Sequence, residues 1–408
     1  MSTLLETHHR ASVFWRYWTA TTTSQVGSAV TAVALPLAAL VLLDASALEV
    51  GLLVAAGDLG WLLLTLPAGA LASHLPLRGL QAGVDFVRAA ALLAPAALWG
   101  LNLLTMPALF SVALVVGFAN VFAFVTNTTY IPQVVPREQL NSRNALMSGT
   151  HAVTQLGGPP IAGVVVQWLG GPLAMLADAI SYLVSGALMW TLPRAERPRL
   201  ARASMAQQIH EGWRYVVQHP LMRPMMIDAA ATNFAAGMLL TLTPLYVVRE
   251  LGASPTAYGV VLASEGLGAL IGASVGPSLG RGLGTGRLLL AAAVLSVPSV
   301  LLMPLGDGVV GMVAFSVGNA LFAFFTVILS VVTRTYRQQQ SPPELLARVM
   351  ATVRFVSWSV IPFGGFLAGW IADATSARIA LWVIALAVAV SPVVLVASPL
   401  RRQREVLT

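Results

Sequence analysis

Long apolar segments, separated by short polar or Gly/Pro-containing breaks, run through the whole chain. The apolar residues follow one another continuously instead of alternating with polar ones, which favours membrane helices over a β-barrel. A membrane-spanning helix needs roughly 20 mainly apolar residues, and every segment reaches about that length. We therefore predict an all-α membrane protein with twelve transmembrane helices, at about 14–43, 48–72, 81–101, 105–130, 145–168, 172–192, 223–248, 256–280, 286–305, 309–333, 349–371 and 377–398.

The composition agrees with this pattern and narrows the chemistry. Of the 408 residues, 57% are hydrophobic and 10% are charged, and the mean hydropathy is +0.79, whereas a soluble protein carries about 25% charged residues. The chain has no cysteine, which excludes disulfides, thiolate metal sites and cysteine nucleophiles. Its polar first residues enter the first apolar segment without a small-residue cleavage site, so we expect a first span and not a removed signal peptide.

The 23 basic residues are all arginines, and their placement predicts the orientation in the membrane. With the N-terminus on the cytoplasmic side, all of them except Arg249 and Arg378 fall in or near cytoplasmic segments. This predicts a multi-pass protein of the inner (plasma) membrane with both termini in the cytoplasm. The arginines behind the net charge of +7 then lie along one face of the membrane. The charge therefore gives no reason to expect a nucleic-acid partner.

The two halves of the sequence resemble each other. The stretch DASALEVGLLVAAGDLGWLL aligns with LGASPTAYGVVLASEGLGALI at an offset of 208 residues. Each half holds six predicted helices, which gives a bundle at 1–192, a linker at 193–222 and a second bundle at 223–408. Repeats of this parallel kind place a substrate site at their interface, near the middle of the membrane.

The linker contains the stretch QQIHEGWRYVVQHP, which predicts a short amphipathic helix on the membrane surface. Its apolar face carries Ile209, Trp213, Val216 and Val217. The main interpretation of this helix is a tether between the two halves.

Two acids lie at the middle of predicted spans. Asp58 and Glu265 each sit about ten residues into a helix, or ~15 Å deep, and the repeat aligns Asp58 with Gly266, next to Glu265. No arginine lies at matching depth. Ionisable residues inside a membrane usually mark a functional site, so we predict that both acids bind protons or substrate. The alternative is a protonated acid that holds the fold through a hydrogen bond to a neighbouring helix.

Two further membrane acids are open to structural interpretations. Asp228 is a third candidate for proton coupling, but it is equally placed to pair with Arg223 or Arg354. Asp178 is expected to be structural and to hydrogen-bond Ser181 or Tyr182 within its own helix.

Several motifs resemble those of the major facilitator superfamily, in the branch of the enterobactin exporter and the macrolide-efflux type transporters. They are ALPLAALVLLDASALEVGLL, LPAGALASHLPLRGLQAGVDFVRA, IPQVVPREQLNSRNALM, LADAISYLVSGAL and EGWRYVVQHPLMR. The resemblance covers the whole chain and implies two pseudo-symmetric six-helix bundles that transport by alternating access. It also implies that helices one, four, seven and ten line the cavity.

Those four helices carry amides and aromatics on shared faces, and Gln25 and Asn233 align at the offset of 208. Mixed amides and aromatics suit a large, partly apolar ligand, although each amide could instead bond a neighbouring helix. The predicted cavity residues are Gln25, Asn120, Phe124, Asn127, Asn233, Asn319, Phe322 and Thr326.

The loop between helices two and three departs from the family pattern. Gly69 and Arg78 remain, but Ser73 and His74 replace the Asp-Arg that the family usually carries. The resemblance implies that this loop latches the outward-open state through charge pairs. Here the latch is lost or moves to helix three, where Asp85 could pair with Arg78. The predicted latch residues are Gly69, Arg78, Asp85 and Arg88.

Helix five carries QLGGPPIAGVVV, in which Gly158, Pro159 and Gly163 partly match a motif of antiporters in this superfamily. Small residues allow close helix packing and proline removes a backbone hydrogen bond. The match favours antiport, and therefore export, over symport. Ordinary close packing is the alternative.

Nothing in the sequence favours an enzyme. The segment GRGLGTGR lacks the strand and helix that flank a phosphate-binding loop, and no His/Asp/Glu group has metal-ligand spacing. We expect no cofactor or metal and a monomer whose partners are protons, the bilayer and a small molecule. The predicted function is proton-coupled efflux of hydrophobic or amphipathic compounds, such as drugs or siderophore-like molecules. An importer or symporter, a lipid flippase and a non-transporting scaffold or sensor remain alternatives.

Overall fold

The computed structural model describes residues 2–74, 76–135, 139–193 and 205–407, and this part of the chain is helical, without a strand. The α-helices are α1 (Ser2–Leu37), α2 (Ala47–His74), α3 (Leu77–Gly100), α4 (Met106–Val134), α5 (Leu140–Leu169), α6 (Gly171–Trp190), α7 (Met205–Gln218), α8 (Met222–Pro244), α9 (Pro255–Leu283), α10 (Thr285–Leu302), α11 (Gly308–Gln340), α12 (Pro343–Ser359), α13 (Ile361–Ala374) and α14 (Ala377–Ala397).

All twelve predicted spans have a helical counterpart, and the prediction of an all-α membrane fold is confirmed. Eleven segments among the described residues are long and apolar enough to cross a membrane. The counterpart of predicted helix five, α5, is 30 residues long but is not among these eleven. Predicted helix eleven is divided into α12 and α13 near Val360, just before Pro362.

The internal repeat is visible in the backbone as well as in the sequence. A short π-helical segment follows α1 at Ala38–Leu42, and another follows α8 at Leu245–Glu250. Each begins within two residues of a proline, Pro36 or Pro244, and these prolines are 208 residues apart. Proline lacks the backbone N–H that an α-helix requires, so the same residue changes the helix at corresponding places in both halves.

The described chain forms two compact units. Unit 1 comprises Met1–Ala45, Ala56–Ala201 and Pro255–Gly259, and unit 2 comprises Ser46–Ala55, Arg202–Ser254 and Val260–Thr408. In unit 1, α6 packs against α1, α3 and α5. In unit 2, α8 packs against α13 and α14, while α10 packs against α11 and α14. Small residues permit these contacts, since a Cβ at Gly364 would collide with the Phe234 carbonyl.

The stretch predicted as a linker helix is helical as α7, and it packs against α12 within unit 2. Of the predicted apolar face, Val216 lies in this contact and Trp213 does not. Val216 is fully buried and Gly212 contacts the Arg348 carbonyl, whereas Trp213 is 46% exposed. An ion pair between Arg348 and Glu211 adds to this contact. The contact with α12 therefore uses the face of Gly212 and Val216, and Trp213 lies outside it.

Candidate functional site

Asp58 lies where α2 crosses α4 in unit 1. The crossing is very close because Gly60 and Gly117 have no side chains: a Cβ at Gly60 would lie 2.8 Å from the Gly117 carbonyl oxygen. A Cβ at Gly117 would in turn collide with the Gly57 carbonyl. This contact between backbones fixes the position of Asp58 without using its carboxylate. The side chain is half-buried and has no hydrogen bond or ion pair with any described residue.

An aromatic pair lies beside Asp58. Trp61, one helical turn further along α2, contacts Phe124 of α4 edge to face, with 5.6 Å between the ring centroids. Residues three or four apart share a helix face, so Asp58 and Trp61 share one face of α2. Asn120 and Asn127 likewise share a face of α4 with Phe124. Unit 1 thus brings one predicted cavity residue, Phe124, into contact with the helix face that carries a predicted coupling acid.

The amides of unit 1 differ in how they are held. Asn127 accepts a hydrogen bond of 2.8 Å from the Tyr17 hydroxyl, and Tyr17 stacks on Tyr130 at 5.4 Å. Asn127 therefore links α1 to α4. The side-chain oxygen of Gln25 is buried and accepts no hydrogen bond from the described residues. An unpaired buried acceptor costs about 1–3 kcal/mol, so a donor that reached the Gln25 oxygen would recover this cost.

Glu265 occupies the corresponding place in unit 2. Gly268 and Gly272 bring α9 against α11, where a Cβ at Gly272 would lie 2.6 Å from the Phe324 carbonyl oxygen and one at Gly268 would collide with the Ala320 carbonyl. As at Asp58, glycine contacts hold the two helices together, and the carboxylate takes no part in that contact. The Glu265 side chain is exposed, and within the described ranges it has no hydrogen bond or ion pair.

The polar residues predicted for the second half separate into two groups. Asn319 donates a hydrogen bond of 3.3 Å to Ser264, the neighbour of Glu265, and so joins α11 to α9. Phe322 is buried on the same helix. In contrast, Asn233 donates to the Ala229 carbonyl and Thr326 to the Ala323 carbonyl, both within their own helices. Asn319 is therefore bonded to the residue next to the acid. The Asn233 amide and the Thr326 hydroxyl instead use their hydrogen bonds within their own helices.

Asp228 is fully buried in unit 2, and the pairing predicted for it is wrong. Its carboxylate accepts a hydrogen bond from Ser391 of α14. The cation that acts on it is Arg337 of α11, not Arg223, which is exposed. Arg354 instead lies over the Trp358 ring, 4.5 Å from its centroid. Asp228 thus ties α8 to α14.

The predicted latch pair of Asp85 and Arg78 is also wrong. Asp85 pairs with Arg88 at 3.3 Å and accepts a hydrogen bond of 2.7 Å from Ser185 of α6. Arg78 donates to the Leu192 carbonyl and lies over the Trp190 ring. Residues three apart on one helix are closer than residues seven apart, which explains the choice of Arg88. Gly69 belongs to α2, but its surroundings lie outside the described side chains.

The Gly/Pro motif of α5 provides close packing. Gly158 contacts Ala29 of α1, and Gly163 contacts the Pro255 carbonyl at the start of α9. The Pro159 carbonyl meets Gly259 in the same way. The helix continues through both prolines. The same glycines that match the family motif therefore permit close contact with two neighbouring helices.

The glycine-rich segment at the start of α10 holds another part of the chain. Thr285 accepts hydrogen bonds from the backbone of Val406 and Leu407, and the Gly286 N–H donates to the Arg404 carbonyl at 2.9 Å. This contact was not predicted from the sequence, because it joins residues about 120 positions apart. Among the described residues no cluster of His, Asp or Glu could hold a metal ion.

Comparison with known proteins identifies relatives of this chain by sequence and by structure. The chain is 27% identical to an uncharacterized MFS-type transporter, y4rN of Sinorhizobium fredii. The match covers 65% of this chain and 64% of y4rN, so the chain spans less than two thirds of this relative. It is 26% identical to the multidrug efflux pump Tap of Mycolicibacterium fortuitum, over 93% of this chain and 94% of Tap. The structure of the nucleoside transporter NupG (D323A mutant) matches it with a TM-score of 0.77 and 12% identity, over 94% of this chain and 99% of NupG.

The likeness to NupG shows the fold alone, because the identity is low. The family described as transmembrane secretion effector matches residues 7–407, which is almost the whole chain. The motifs of both halves, the two glycine-positioned acids and the helical architecture fall within that match. The chain therefore belongs to the transmembrane secretion effector family of the major facilitator superfamily.

Proposed function

We propose that this protein is a secondary transporter that exports hydrophobic or amphipathic small molecules in exchange for protons, by alternating access. The observation that carries the proposal is Glu265, a carboxylate on a membrane-spanning helix without a partner among the described residues. A structural acid would be expected to have one.

An unpaired carboxylate is unfavourable at this depth. Placing an ionised acid at the centre of a membrane helix costs about 2.5–3.5 kcal/mol on insertion scales, and no arginine among the described residues forms an ion pair with Glu265. The cost falls when the carboxylate takes up a proton or meets a cationic ligand. Proton and ligand therefore compete for one group. Such competition is the simplest basis for exchange, because each occupant leaves as the other arrives.

Unit 1 supplies a second such acid with an apolar surface beside it. Asp58 shares a helix face with Trp61, whose ring meets Phe124. Aromatic faces attract organic cations and offer apolar contact area. An acid next to an aromatic pair is suited to a hydrophobic ligand that carries a positive charge. This supports drug-like amphipathic cations as the substrate class.

The direction of transport is proposed from the comparisons. Tap, which aligns with nearly the full chain, is named a multidrug efflux pump. The Gly/Pro motif of α5, which partly matches an antiporter motif, points the same way. Export against a gradient would then draw on inward movement of protons, since nothing in the sequence resembles a nucleotide-hydrolysing module.

A reconstituted assay tests the proposal. The full chain is placed in liposomes with an imposed pH gradient, and movement of ethidium, a hydrophobic cation, is followed by fluorescence. We expect gradient-driven movement that stops when a protonophore collapses the gradient. Glu265→Gln should reduce it to the level of protein-free liposomes. Glu344→Gln, an exposed acid in the first turn of α12, is the matched control and should behave as wild type.

Two results would count against the proposal. Ethidium movement that continues unchanged without a pH gradient would exclude proton exchange. Full gradient-driven movement in Glu265→Gln would exclude this carboxylate from the coupling and return it to a structural role. Asp58→Asn in the same assay tells whether the second acid carries part of the coupling.

A further inference from the structure

A second buried acid of unit 1 has a different environment from Asp58. Asp178 of α6 is completely buried. Its carboxylate accepts a hydrogen bond from Thr31 of α1 and lies 2.9 Å from the hydroxyl oxygen of Ser181, one turn further along α6. Among the described residues no arginine lies within ion-pair distance of it. The acid is thus enclosed between two helices, with hydroxyl groups as its only close partners.

The hydrogen atoms at this contact can be counted. The Ser181 hydroxyl has one hydrogen, but two oxygens of Asp178 lie within reach: the backbone carbonyl at 2.8 Å and the carboxyl Oδ1 at 2.9 Å. Serine inside a helix commonly donates to a carbonyl of the preceding turn. The second oxygen–oxygen contact then needs a hydrogen from elsewhere. A proton on Asp178 Oδ1 supplies it, because the protonated acid donates to Ser181 while Oδ2 still accepts from Thr31.

The charges nearby lead to the same result. The charged or titratable groups that act on Asp178 are Arg88 and Asp85 from α3 and Tyr182 from its own helix. Arg88 already pairs with Asp85 and lies over the Tyr182 ring, 5.0 Å from its centroid. At this contact α1 contributes only hydroxyls, those of Thr31 and of Ser28, which meets Tyr182 at 2.8 Å.

Among the described residues, Arg88 is therefore the one guanidinium that acts on both buried carboxyl groups, as the ion-pair partner of Asp85 and at longer range on Asp178. If both were ionised, one negative charge would stay uncompensated inside a membrane-spanning bundle, which is very unfavourable. One bound proton makes the whole group of residues neutral. Since Asp85 has the ion pair and the Ser185 hydrogen bond, the proton belongs on Asp178.

The space around Asp178 suits a proton and no larger ion. Gly27 of α1 lies directly against the site, and a Cβ there would collide with Ser181 Oγ and Asp178 Oδ1. A hydrated cation needs several oxygen ligands and room for water, which this contact does not provide. We propose that Asp178, Ser181 and Thr31 form a buried proton-binding site between α1 and α6, separate from Asp58 and Glu265.

Infrared difference spectroscopy of the full chain tests this site without any transport measurement. Wild type minus Asp178→Asn at neutral pH should show the loss of one carboxylic-acid carbonyl band, with no loss of a carboxylate band. Asn should fold well here, since its N–H can donate to Ser181 and its carbonyl can accept from Thr31. Glu344→Gln, at an exposed acid of α12, is the matched control and should leave the carboxylic-acid band in place. Loss of a carboxylate band in Asp178→Asn would overturn the proposal.

Ser181→Ala is a second variant that keeps the acid and removes its acceptor. The proposed site predicts that the carboxylic-acid band moves to higher frequency, because the acid loses a hydrogen bond. A change confined to the carboxylate bands would mean that Asp178 is ionised and would overturn the proposal. Neither outcome depends on Glu265, so the proton site and the proposed function can fail independently.

Discussion

The buried contact of α3 with α6 and the crossing of α2 with α4 both contain an acid, but they treat it differently. Asp85, between α3 and α6, has an ion pair with Arg88 and a hydrogen bond from Ser185. Asp58, where α2 crosses α4, is held by backbone contacts of glycine, and its carboxylate has no partner among the described residues. The same residue type can therefore stabilise the bundle or stay available for a ligand. The partners of the acid, more than its depth in the bundle, decide which of these two roles it has.

Unit 2 repeats this contrast. Asp228 is buried with a hydrogen bond from Ser391 and with Arg337 near it. Glu265 lies beside a glycine crossing, and in the described part of the chain its carboxylate is unpaired. Each unit thus has at least one acid committed to packing and one that is uncommitted. We assign the committed acids to stability and the uncommitted ones to proton and substrate exchange.

The largest effect should come from removing a committed acid. Asp85→Asn leaves Arg88 buried without its counter-charge, and breaking a buried ion pair in this way costs about 3–5 kcal/mol. Asp58→Asn removes no contact of the described structure and should change stability by less than about 0.5 kcal/mol. Unfolding of both variants in mixed detergent micelles, followed by circular dichroism, measures the difference. Equal destabilisation of the two variants would remove the distinction between the acids.

An intermediate effect should follow from disturbing the crossing that positions Asp58. Gly117→Ala puts a methyl group against the Gly57 carbonyl, and overpacking of this kind costs about 1–3 kcal/mol. Gly57→Ala is the matched control, because its methyl group would meet nothing within 4 Å. We expect Gly117→Ala to lower both unfolding stability and ethidium transport, and Gly57→Ala to preserve both. If the two variants behave alike, the crossing does not position the site.

A smaller effect concerns a titratable group outside the membrane spans. His219, between α7 and α8, accepts hydrogen bonds at Nδ1 from the N–H groups of Leu221 and Met222, both at 3.2 Å. Burial lowers the pKa of His219, and protonation of Nδ1 would remove both bonds. The ordinary pKa of histidine is about 6.5, and below that pH the unfolded chain binds the proton more readily than the folded chain does. Stability should therefore be complete above that pH and fall as the pH drops further.

The expected loss at His219 is about 1 kcal/mol, the usual contribution of a cap at a helix start. It can be measured as the difference in unfolding stability between pH 8 and pH 5 for wild type and for His219→Gln, which accepts but does not titrate. His210→Gln, on the exposed face of α7, is the control. If wild type and His219→Gln lose the same stability at low pH, the capping role is incorrect.

Much of the architecture could be predicted from the sequence, because the length of the apolar segments and the 208-residue repeat are visible in the sequence without any knowledge of packing. The positions of Asp58 and Glu265 followed from that repeat. The partners of the other acids could not be predicted, since they depend on long-range packing. Thr31 and Asp178 are 147 residues apart, and only the structure brings them together. Gly27 carried a usable signal, as a small residue in an apolar helix, but nothing in the sequence tells which helix it contacts.

Proton release on ligand binding shows directly whether Glu265 exchanges a proton for the substrate. The purified chain in weakly buffered detergent solution is mixed with ethidium, and a pH indicator counts the protons released per protein. We expect release by wild type and by Glu344→Gln, and clearly less release by Glu265→Gln although that variant is folded. Release from Glu265→Gln equal to that of wild type would contradict the claim that the unpaired acid exchanges the proton for the substrate.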